Sequence, residues 1–280
     1  MNLYKNIFLL LLLVCGNFSF AQTYNNVKCG LISPYPPGGN ADLTARLMQK
    51  IEPELKIEYK PGAYYVSAFN FMQQNKNFFI LGALNIYSNK NPIQNMPIEI
   101  TKSLVLHKQI ALTNSEVTIS DLKNKPLNIG VAVLGGPSHS MALEVKEQNP
   151  LVQIIPTGGE AKALPLLVQK SIDVYMGPGT AERWVVDYNF KTLFLIPADK
   201  KFIKVEGIKI TNNGGLYAFI HKDASTEQRK NISDCLQNVT QSDIWSEKLP
   251  TVSASPSTYT KEDELRVVDD YRKFLQKYDQ

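Results

Sequence analysis

Short apolar runs alternate with helical patterns along most of the chain. Residues 27–32 are typical of a buried strand, and Leu43, Leu47 and Ile51 then recur at the spacing of one helix face. This helix should end near residue 52, because a proline disfavours the α conformation in the residue before it. Further strands are predicted at 55–59, 78–81, 110–113, 127–131, 152–155, 172–176 and 216–220. The alternation predicts an α/β protein with mainly parallel sheets covered by helices.

The remaining helices follow from the same periodicity and from their end signals. An apolar helix carries Tyr65, Phe69 and Met72 on one side, and Ser225 with Gln228 forms a capping box for a helix that runs through residue 236. Further helices are predicted at 141–148, at 161–169 and from 261 onwards. Residues 82–101 are rich in asparagine and proline, and the pattern there assigns neither a strand nor a helix.

Glycine-rich turns follow the strands. The stretch PYPPGGNAD at 34–42 joins the first strand to the first helix, where free backbone N–H groups and the positive end of the helix dipole attract an anion. A plain turn explains this stretch equally well. Similar turns occur at 135–140, 156–160 and 177–180. Four such turns with the same polarity predict a ligand crevice at the carboxyl ends of the strands.

The first residues have the pattern of an export signal. A lysine at position 5 precedes an apolar run over 7–14, and small residues up to Ala21 form a cleavage site. The run is too short to span a bilayer, which takes about 20 residues. Residues 1–21 are therefore predicted to be a cleaved signal peptide and the mature protein to be periplasmic. A lipid anchor at Cys15 is the alternative, which the preceding valine disfavours.

Composition excludes several classes of site. The 30 basic and 26 acidic residues are scattered, which leaves no footprint for nucleic acid. Three histidines (His107, His139 and His221) and the two cysteines of the mature chain suggest no metal cluster, so neither a metal nor a cofactor is predicted. In an oxidising compartment Cys29 and Cys235 could form a disulfide, and two buried free thiols are the alternative.

The motifs resemble those of the substrate-binding proteins of tripartite tricarboxylate transporters, the TctC or Bug family. The resemblance rests on P-x-x-P-G-G-x-x-D-x-x-A-R at 34–46, K-P-G-A at 60–63, G-x-S-H at 136–139, P-x-x-G at 156–159 and I-D-V at 172–174. These motifs occur in the family's order across nearly all of the mature chain. Their joint occurrence after an export signal carries the resemblance.

The resemblance implies the type II periplasmic binding protein fold. In this fold two α/β lobes are joined by crossover segments, expected here near residues 114 and 214, and the ligand lies between the lobes. The implied division is a signal peptide at 1–21, lobe 1 at 22–114, lobe 2 at 115–213 and a return to lobe 1 at 214–280, which includes the C-terminal helices.

The resemblance also implies a carboxylate ligand, held mostly by backbone amides and bridging waters. Asp42 is expected to order a water or meet a ligand donor, with stabilisation of its own helix start as the alternative. His139 is expected either to contact the ligand or to cap its helix. With no catalytic and no metal-binding residue proposed, the candidate ligand-binding residues are Tyr35, Pro37, Gly38, Gly39, Asn40, Asp42, Asn85, Gly135, Gly136, Pro137, Ser138, His139, Thr157, Gly158, Gly159, Gly177 and Pro178.

The implied function is that of an extracytoplasmic solute-binding protein. We expect a monomer that captures a small carboxylate and delivers it to membrane subunits of a tripartite tricarboxylate-type transporter. Presentation of the ligand to a membrane sensor kinase is the alternative output. An exported hydrolase is disfavoured, because adjacent residues such as Ser138 and His139 do not normally form a nucleophile and base pair and no Gly-x-Ser-x-Gly elbow is present. Departures from the family at 82–104 and 177–179 leave the carboxylate unidentified.

Two further expectations follow from binding by backbone amides. A valine at Gly39 or Gly136 should block close approach of the ligand and force φ values that a β-branched residue avoids. Affinity should depend little on pH between about 6 and 8, because amides do not titrate there, and His139 is the exception to watch.

Overall fold

The computed structural model describes residue 24 and residues 26–62, 65–84 and 96–278. The predicted signal peptide and the candidate Asn85 lie outside the described residues. Within them, no helix is long and apolar enough to cross a membrane. The described α-helices are α1 (Asn40–Ile51), α2 (Val66–Gln74), α3 (Pro137–Gln148), α4 (Glu160–Val168), α5 (Arg183–Asp187), α6 (Thr226–Gln241), α7 (Asp243–Lys248) and α8 (Lys261–Tyr278). Each of them lies near a predicted helix or in a stretch that the sequence pattern left unassigned.

The first sheet has six strands, in the order β13, β4, β12, β3, β1, β2. β1 lies parallel to β2 and β3, whereas β12 runs antiparallel to β3 and β4, and β13 antiparallel to β4. The sheet is therefore mixed. Its strands are β1 (Gly30–Ser33), β2 (Lys56–Tyr59), β3 (Phe78–Gly82), β4 (Ile98–His107), β12 (Gly215–His221) and β13 (Ala254–Pro256).

The second sheet has five strands, in the order β7, β6, β8, β5, β9. β6 is parallel to β7 and β8, and β5 is antiparallel to β8 and β9. A separate antiparallel hairpin pairs β10 with β11. These strands are β5 (Gln109–Thr113), β6 (Asn128–Val131), β7 (Gln153–Pro156), β8 (Val174–Pro178), β9 (Lys191–Ile196), β10 (Phe202–Val205) and β11 (Ile208–Thr211).

The two sheets define two α/β lobes, as the sequence predicted. The chain leaves the first sheet after His107 and enters the second at Gln109, so this crossover falls at Lys108 and not near residue 114. The expectation placed β5 in lobe 1 because periodicity identifies a strand but not the sheet in which it pairs. The return crossover lies between β11 and β12. The two crossovers touch, since the His107 N–H donates to the Gly214 carbonyl (2.6 Å).

Each sheet is covered on both faces. Leu31 and Phe79 belong to one apolar cluster of the first lobe and Ile32 and Phe78 to another, because successive side chains of a strand point to opposite faces. The second lobe has two further clusters, one of which contains Trp184. Burial on both faces explains why these strands read as continuous apolar runs.

A disulfide ties the residue just before β1 to α6 in the first lobe. Cys29 and Cys235 are bonded, with their Cα atoms 6.4 Å apart, and both are buried in the same apolar cluster. Of the two alternatives left open by the sequence, the structure therefore has the bridge. The bond anchors the strand that leads into the first glycine-rich loop.

Candidate functional site

A cavity of about 300 Å³ lies between the two lobes, where several strands end. Its walls come from the loop after β1, the loop after β6, the loop after β7, the end of β8 and the two crossovers. This is the edge at which open α/β sheets bind ligands. The glycine-rich turns of the sequence thus meet in space.

Three helices begin at this cavity, and each has a glycine at its N-cap. Gly39 precedes α1, Gly136 precedes α3 and Gly159 precedes α4, and none of these helix starts has a side-chain cap hydrogen bond. By contrast, α6 lies away from the cavity and is capped by the side chain of Ser225, which accepts from the Gln228 N–H (3.2 Å). The helix starts at the cavity therefore leave backbone N–H groups for another acceptor.

The structure brings most of the predicted residues to the cavity wall. Those that line it are Tyr35, Pro37, Gly38, Gly39, Asn40, Gly136, Pro137, Ser138, Gly158, Gly159 and Pro178. Five other described candidates do not line it, namely Asp42, Gly135, His139, Thr157 and Gly177. The predicted loops therefore lie at the cavity, while these five residues of the same segments do not face it.

Asp42 serves its own loop. Its carboxylate accepts the Gly38 N–H (2.8 Å), Nε of Arg46 (2.9 Å) and the hydroxyl of Tyr59, and its side chain is buried. Burial alone would raise the pKa of Asp42, but the bonds from Tyr59, Gly38 and Arg46 outweigh it and lower the pKa below its ordinary value. The expected contact with water or ligand is replaced by the alternative, stabilisation of the first turn.

The other candidates that miss the cavity also bond locally. His139 accepts the Gly135 N–H at Nδ1 (2.9 Å), and the Thr157 hydroxyl contacts the carbonyl oxygens of Val131 and Gly159 (both 3.1 Å). Gly177 lies within β8, where an added Cβ would meet the Tyr175 ring. His139 and Thr157 therefore stabilise the loops that line the cavity, and Gly177 is part of a strand.

The conformational argument for Gly39 and Gly136 is wrong. Their φ values are −91° and −81°, which any residue adopts. The left-handed positions are their neighbours Gly38 (φ 99°) and Gly135 (φ 75°), and also Gly159 (φ 126°). Gly39 instead provides space, because an added Cβ there would meet nothing within 4 Å.

Sequence reasoning missed the part of the cavity formed by the crossovers. His107 and Gln109 flank the first crossover and are 2% and 3% exposed. They line the cavity together with Gly214 of the second crossover and Gly215 at the start of β12. Burial lowers the pKa of His107 to about 4, so this imidazole is neutral at pH 7. The three consecutive polar residues 107–109 within the otherwise apolar stretch 104–112 were the available signal.

The remaining lining residues that the sequence did not single out lie beside predicted ones or at the ends of neighbouring strands. They are Pro36, Ala41, Ala83, Ala132, Val133, Glu160, Ala161, Lys162 and Leu216.

Glu160 is the buried acid of the wall. It opens α4, is 7% exposed, and accepts from the Thr180 hydroxyl (2.6 Å) and from Nη2 of Arg183 (3.2 Å). Burial raises the pKa of Glu160, and its two partners oppose this only in part. Thr180 and Arg183, both in the second lobe, therefore stabilise the ionised form of Glu160.

Lys162 brings a positive charge to the wall. It is exposed in the first turn of α4, and its Nζ lies 3.7 Å from where a Cβ of Gly158 would be, so the side chain runs back over the third loop. Among the described residues no ion pair of Lys162 is formed. The positive end of the helix dipole disfavours a cation at a helix N-terminus. An anion beside Lys162 would offset this repulsion.

The first-lobe wall is built on two tyrosines. The hydroxyls of Tyr35 and Tyr65 are hydrogen bonded to each other, and both accept the N–H of Ala83 (3.2 and 3.1 Å). Tyr65 holds a left-handed conformation, with φ 71°, at the start of α2. Because such a conformation costs free energy in a non-glycine residue, its surroundings must fix it firmly.

No group of histidine, cysteine and acidic side chains suited to a metal ion occurs in the described ranges.

No protein-family model matches this chain. A UPF0065 protein of Bordetella pertussis is 26% identical over 229 residues, which cover 71% of this chain and 69% of the relative. The periplasmic binding protein BugD has a TM-score of 0.71 and 16% identity, with 90% of this chain and 96% of BugD covered.

Two further solved structures are similar. The R. palustris protein Rpa4515 with adipate has a TM-score of 0.70 and 17% identity, covering 91% of this chain and 97% of its own. A TctC solute-binding protein from Polaromonas has a TM-score of 0.62 and 16% identity, covering 91% and 100%. All of these similarities lie at or below 26% sequence identity, and the solved structures show the fold. The periplasmic binding protein fold predicted from the TctC/Bug motifs is confirmed.

Proposed function

We propose that this protein is a periplasmic solute-binding protein that captures a small carboxylate between its lobes. The observation that carries the proposal is the convergence of three uncapped helix starts, after Gly39, Gly136 and Gly159, on one cavity between the lobes. Their N–H groups are donors that hold a carboxylate without a buried arginine. Adipate in the similar R. palustris protein gives independent support for a ligand of this class.

The charges of the wall agree with an anionic ligand. The carboxylate of Glu160 is bonded to Thr180 and Arg183, whereas the ammonium group of Lys162 has no ion pair in the described structure. The first-loop acid, Asp42, is turned towards its own backbone and therefore does not repel the ligand. A bound carboxylate would meet neutral N–H donors, one cation, and one acid, Glu160, whose charge is paired with Arg183.

Transport is the proposed use of this binding. The predicted export signal favours a location of the mature protein outside the cytoplasm. The resemblance of its motifs to those of the TctC/Bug family favours delivery of the ligand to a tripartite tricarboxylate-type transporter. Co-purification of the mature protein with the membrane subunits of such a transporter, dependent on ligand, tests this step. Co-purification with a sensor kinase instead would favour the signalling alternative.

Hydrolysis is not proposed, for a reason of geometry. The Ser138 hydroxyl oxygen accepts the Ala132 N–H (3.2 Å), and Nδ1 of His139 accepts the Gly135 N–H (2.9 Å). The Nδ1 atom is therefore engaged by its own loop and is not available to take the Ser138 proton. Both side chains support loop structure, which suits binding.

The deciding experiment is calorimetric titration of the mature protein with mono-, di- and tricarboxylates, preceded by native mass spectrometry for a co-purified ligand. We expect saturable binding of at least one small carboxylate and none of the corresponding amide. Binding of neutral compounds only would contradict the proposal.

A further inference from the structure

We propose that Tyr271 is a positioning residue of the site. From the C-terminal helix α8 its hydroxyl donates to the carbonyl oxygen of Gly135 in the second glycine loop. The bond crosses from one lobe to the other, so it holds that loop in place against the first lobe. The Gly135 carbonyl immediately precedes the residues of the loop that line the cavity.

Tyr271 belongs to the first lobe. It is 3% exposed and packs in the apolar cluster that contains Tyr65, Phe78 and Ile100. The helix that carries it is fixed to β4, because the Glu264 carboxylate accepts the Ser103 N–H and the Lys261 ammonium group donates to a strand carbonyl. The phenol ring therefore moves with the first sheet.

Gly135 belongs to the second lobe and is held from two sides. Its N–H donates to Nδ1 of His139 (2.9 Å), and its carbonyl accepts from Tyr271. Its left-handed φ of 75° turns the chain sharply before Gly136 and α3. With its N–H and its carbonyl both engaged, Gly135 has little freedom to rotate, which fixes the turn that leads into α3.

The position of this bond gives it a role in closure. Rotation of the lobes about the crossovers would separate Tyr271 from Gly135 and break the bond. Other links between the lobes differ: the backbone bond from Lys108 to Ser253 lies at the crossover, and the ion pair of Lys108 with Glu182 (3.3 Å) is exposed and contributes little. The hydroxyl thus favours the arrangement in which both glycine loops face one cavity.

The cluster also links Tyr271 to the opposite wall. Tyr65, in the same cluster, is bonded to Tyr35, which lines the cavity. A single apolar cluster therefore supports the first-lobe wall and carries the group that orients the second-lobe loop. Ordering of the first-lobe wall would therefore help to order the second glycine loop, and the reverse.

The first test needs no ligand. Spin labels at Val186→Cys in α5 and Glu227→Cys in α6, both exposed, report the distance between the lobes, since the native cysteines are paired. In Tyr271→Phe, which keeps the ring, the distance distribution of the ligand-free protein should shift to longer values or broaden. A distribution identical to that of the parent labelled protein would overturn the proposal.

The second test rests on the proposed function and uses adipate as the probe. Tyr271→Phe should weaken adipate binding about two- to tenfold, the effect of one lost hydrogen bond, with an unchanged melting temperature. Tyr175→Phe is the matched control, because its buried hydroxyl has no partner in the described structure. Equal affinities of the parent and Tyr271→Phe would contradict the proposal.

The two tests separate the two ideas. If neither adipate nor any other carboxylate binds the parent protein, the proposed function fails and the ligand-free distances alone decide the role of Tyr271. If adipate binds but the distances and affinities are unaffected, only the role of Tyr271 fails.

Discussion

Asp42 and Glu160 have nearly the same sequence setting but opposite placements. Each lies in the first turn of a helix that begins at the cavity after a Gly-Gly pair, Glu160 as the first residue of its helix and Asp42 as the third. The Asp42 carboxylate turns back to the Gly38 N–H, and its pKa is lowered. Glu160 is itself a lining residue, its carboxylate is bonded to Thr180 and Arg183, and its pKa is raised. An acid in a helix start is thus a poor guide to a binding role until its partners are known.

The partners explain the difference. Tyr59, at the end of the neighbouring strand β2, and Arg46, one turn along α1, both donate to Asp42. The partners of Glu160 are Thr180 and Arg183, which lie after β8 in the second lobe. We therefore expect substitutions at the two acids to affect different properties.

The largest effect is expected from Asp42→Ala. The substitution leaves the Gly38 N–H and the Tyr59 hydroxyl without their acceptor, and stability should fall by about 2–4 kcal/mol. Urea unfolding measures this loss. Arg46→Ala is the control, because its exposed guanidinium should contribute much less to stability than the buried carboxylate does. Equal losses in the two variants would mean that the ion pair, and not the loop bonding, makes Asp42 important.

Gly39→Val probes the space in front of the first loop. Because the φ of Gly39 is ordinary and a Cβ would meet nothing within 4 Å, the fold should be retained. The added methyl groups should weaken carboxylate binding by about tenfold or more, roughly 1.4 kcal/mol, in calorimetric titration. Gly39→Ala should lie between the parent and the valine variant. Parent affinity in the valine variant would show that the ligand does not approach this loop.

Lys162→Met tests the charge of the third loop. Loss of an exposed cation beside an anionic ligand should weaken binding about two- to fivefold, and the difference should shrink as salt is added. Lys170→Met, at the other end of α4, should bind as the parent does. Equal affinities of Lys162→Met and Lys170→Met for the carboxylate would exclude contact between Lys162 and the ligand.

The smallest effect concerns pH, and its sign differs between the two acids. The lowered pKa of Asp42 means that its stabilisation is present above about pH 3.8 and is lost as pH falls through the native value. The raised pKa of Glu160 means that its contribution is present below about pH 4.5 and is lost as pH rises through the native value. In urea unfolding between about pH 3 and 7, Asp42→Asn should remove the first trend and Glu160→Gln the second. The prediction is contradicted if the contributions of Asp42 and Glu160 to the free energy of unfolding change in the same direction with pH.

Much of the fold followed from local sequence signals. The capping box of Ser225 with Gln228 formed as predicted, and the glycine turns at 38–39 and 158–159 lie at the cavity. Residues 98–107 became a strand although their pattern was unassigned, because they pair with β12 and β13, which follow more than a hundred residues later.

The sequence by itself determined the alternation of strands and helices and the loops that line the cavity, since periodicity, caps and turns act over a few neighbouring residues. Tertiary structure decided which sheet contains β5, where the Asp42 carboxylate points and which helix contacts the second loop. Asp42 and Tyr59 are 17 residues apart, and Tyr271 and Gly135 are 136 apart. Contacts at such separations depend on how whole elements pack, and no local pattern encodes them.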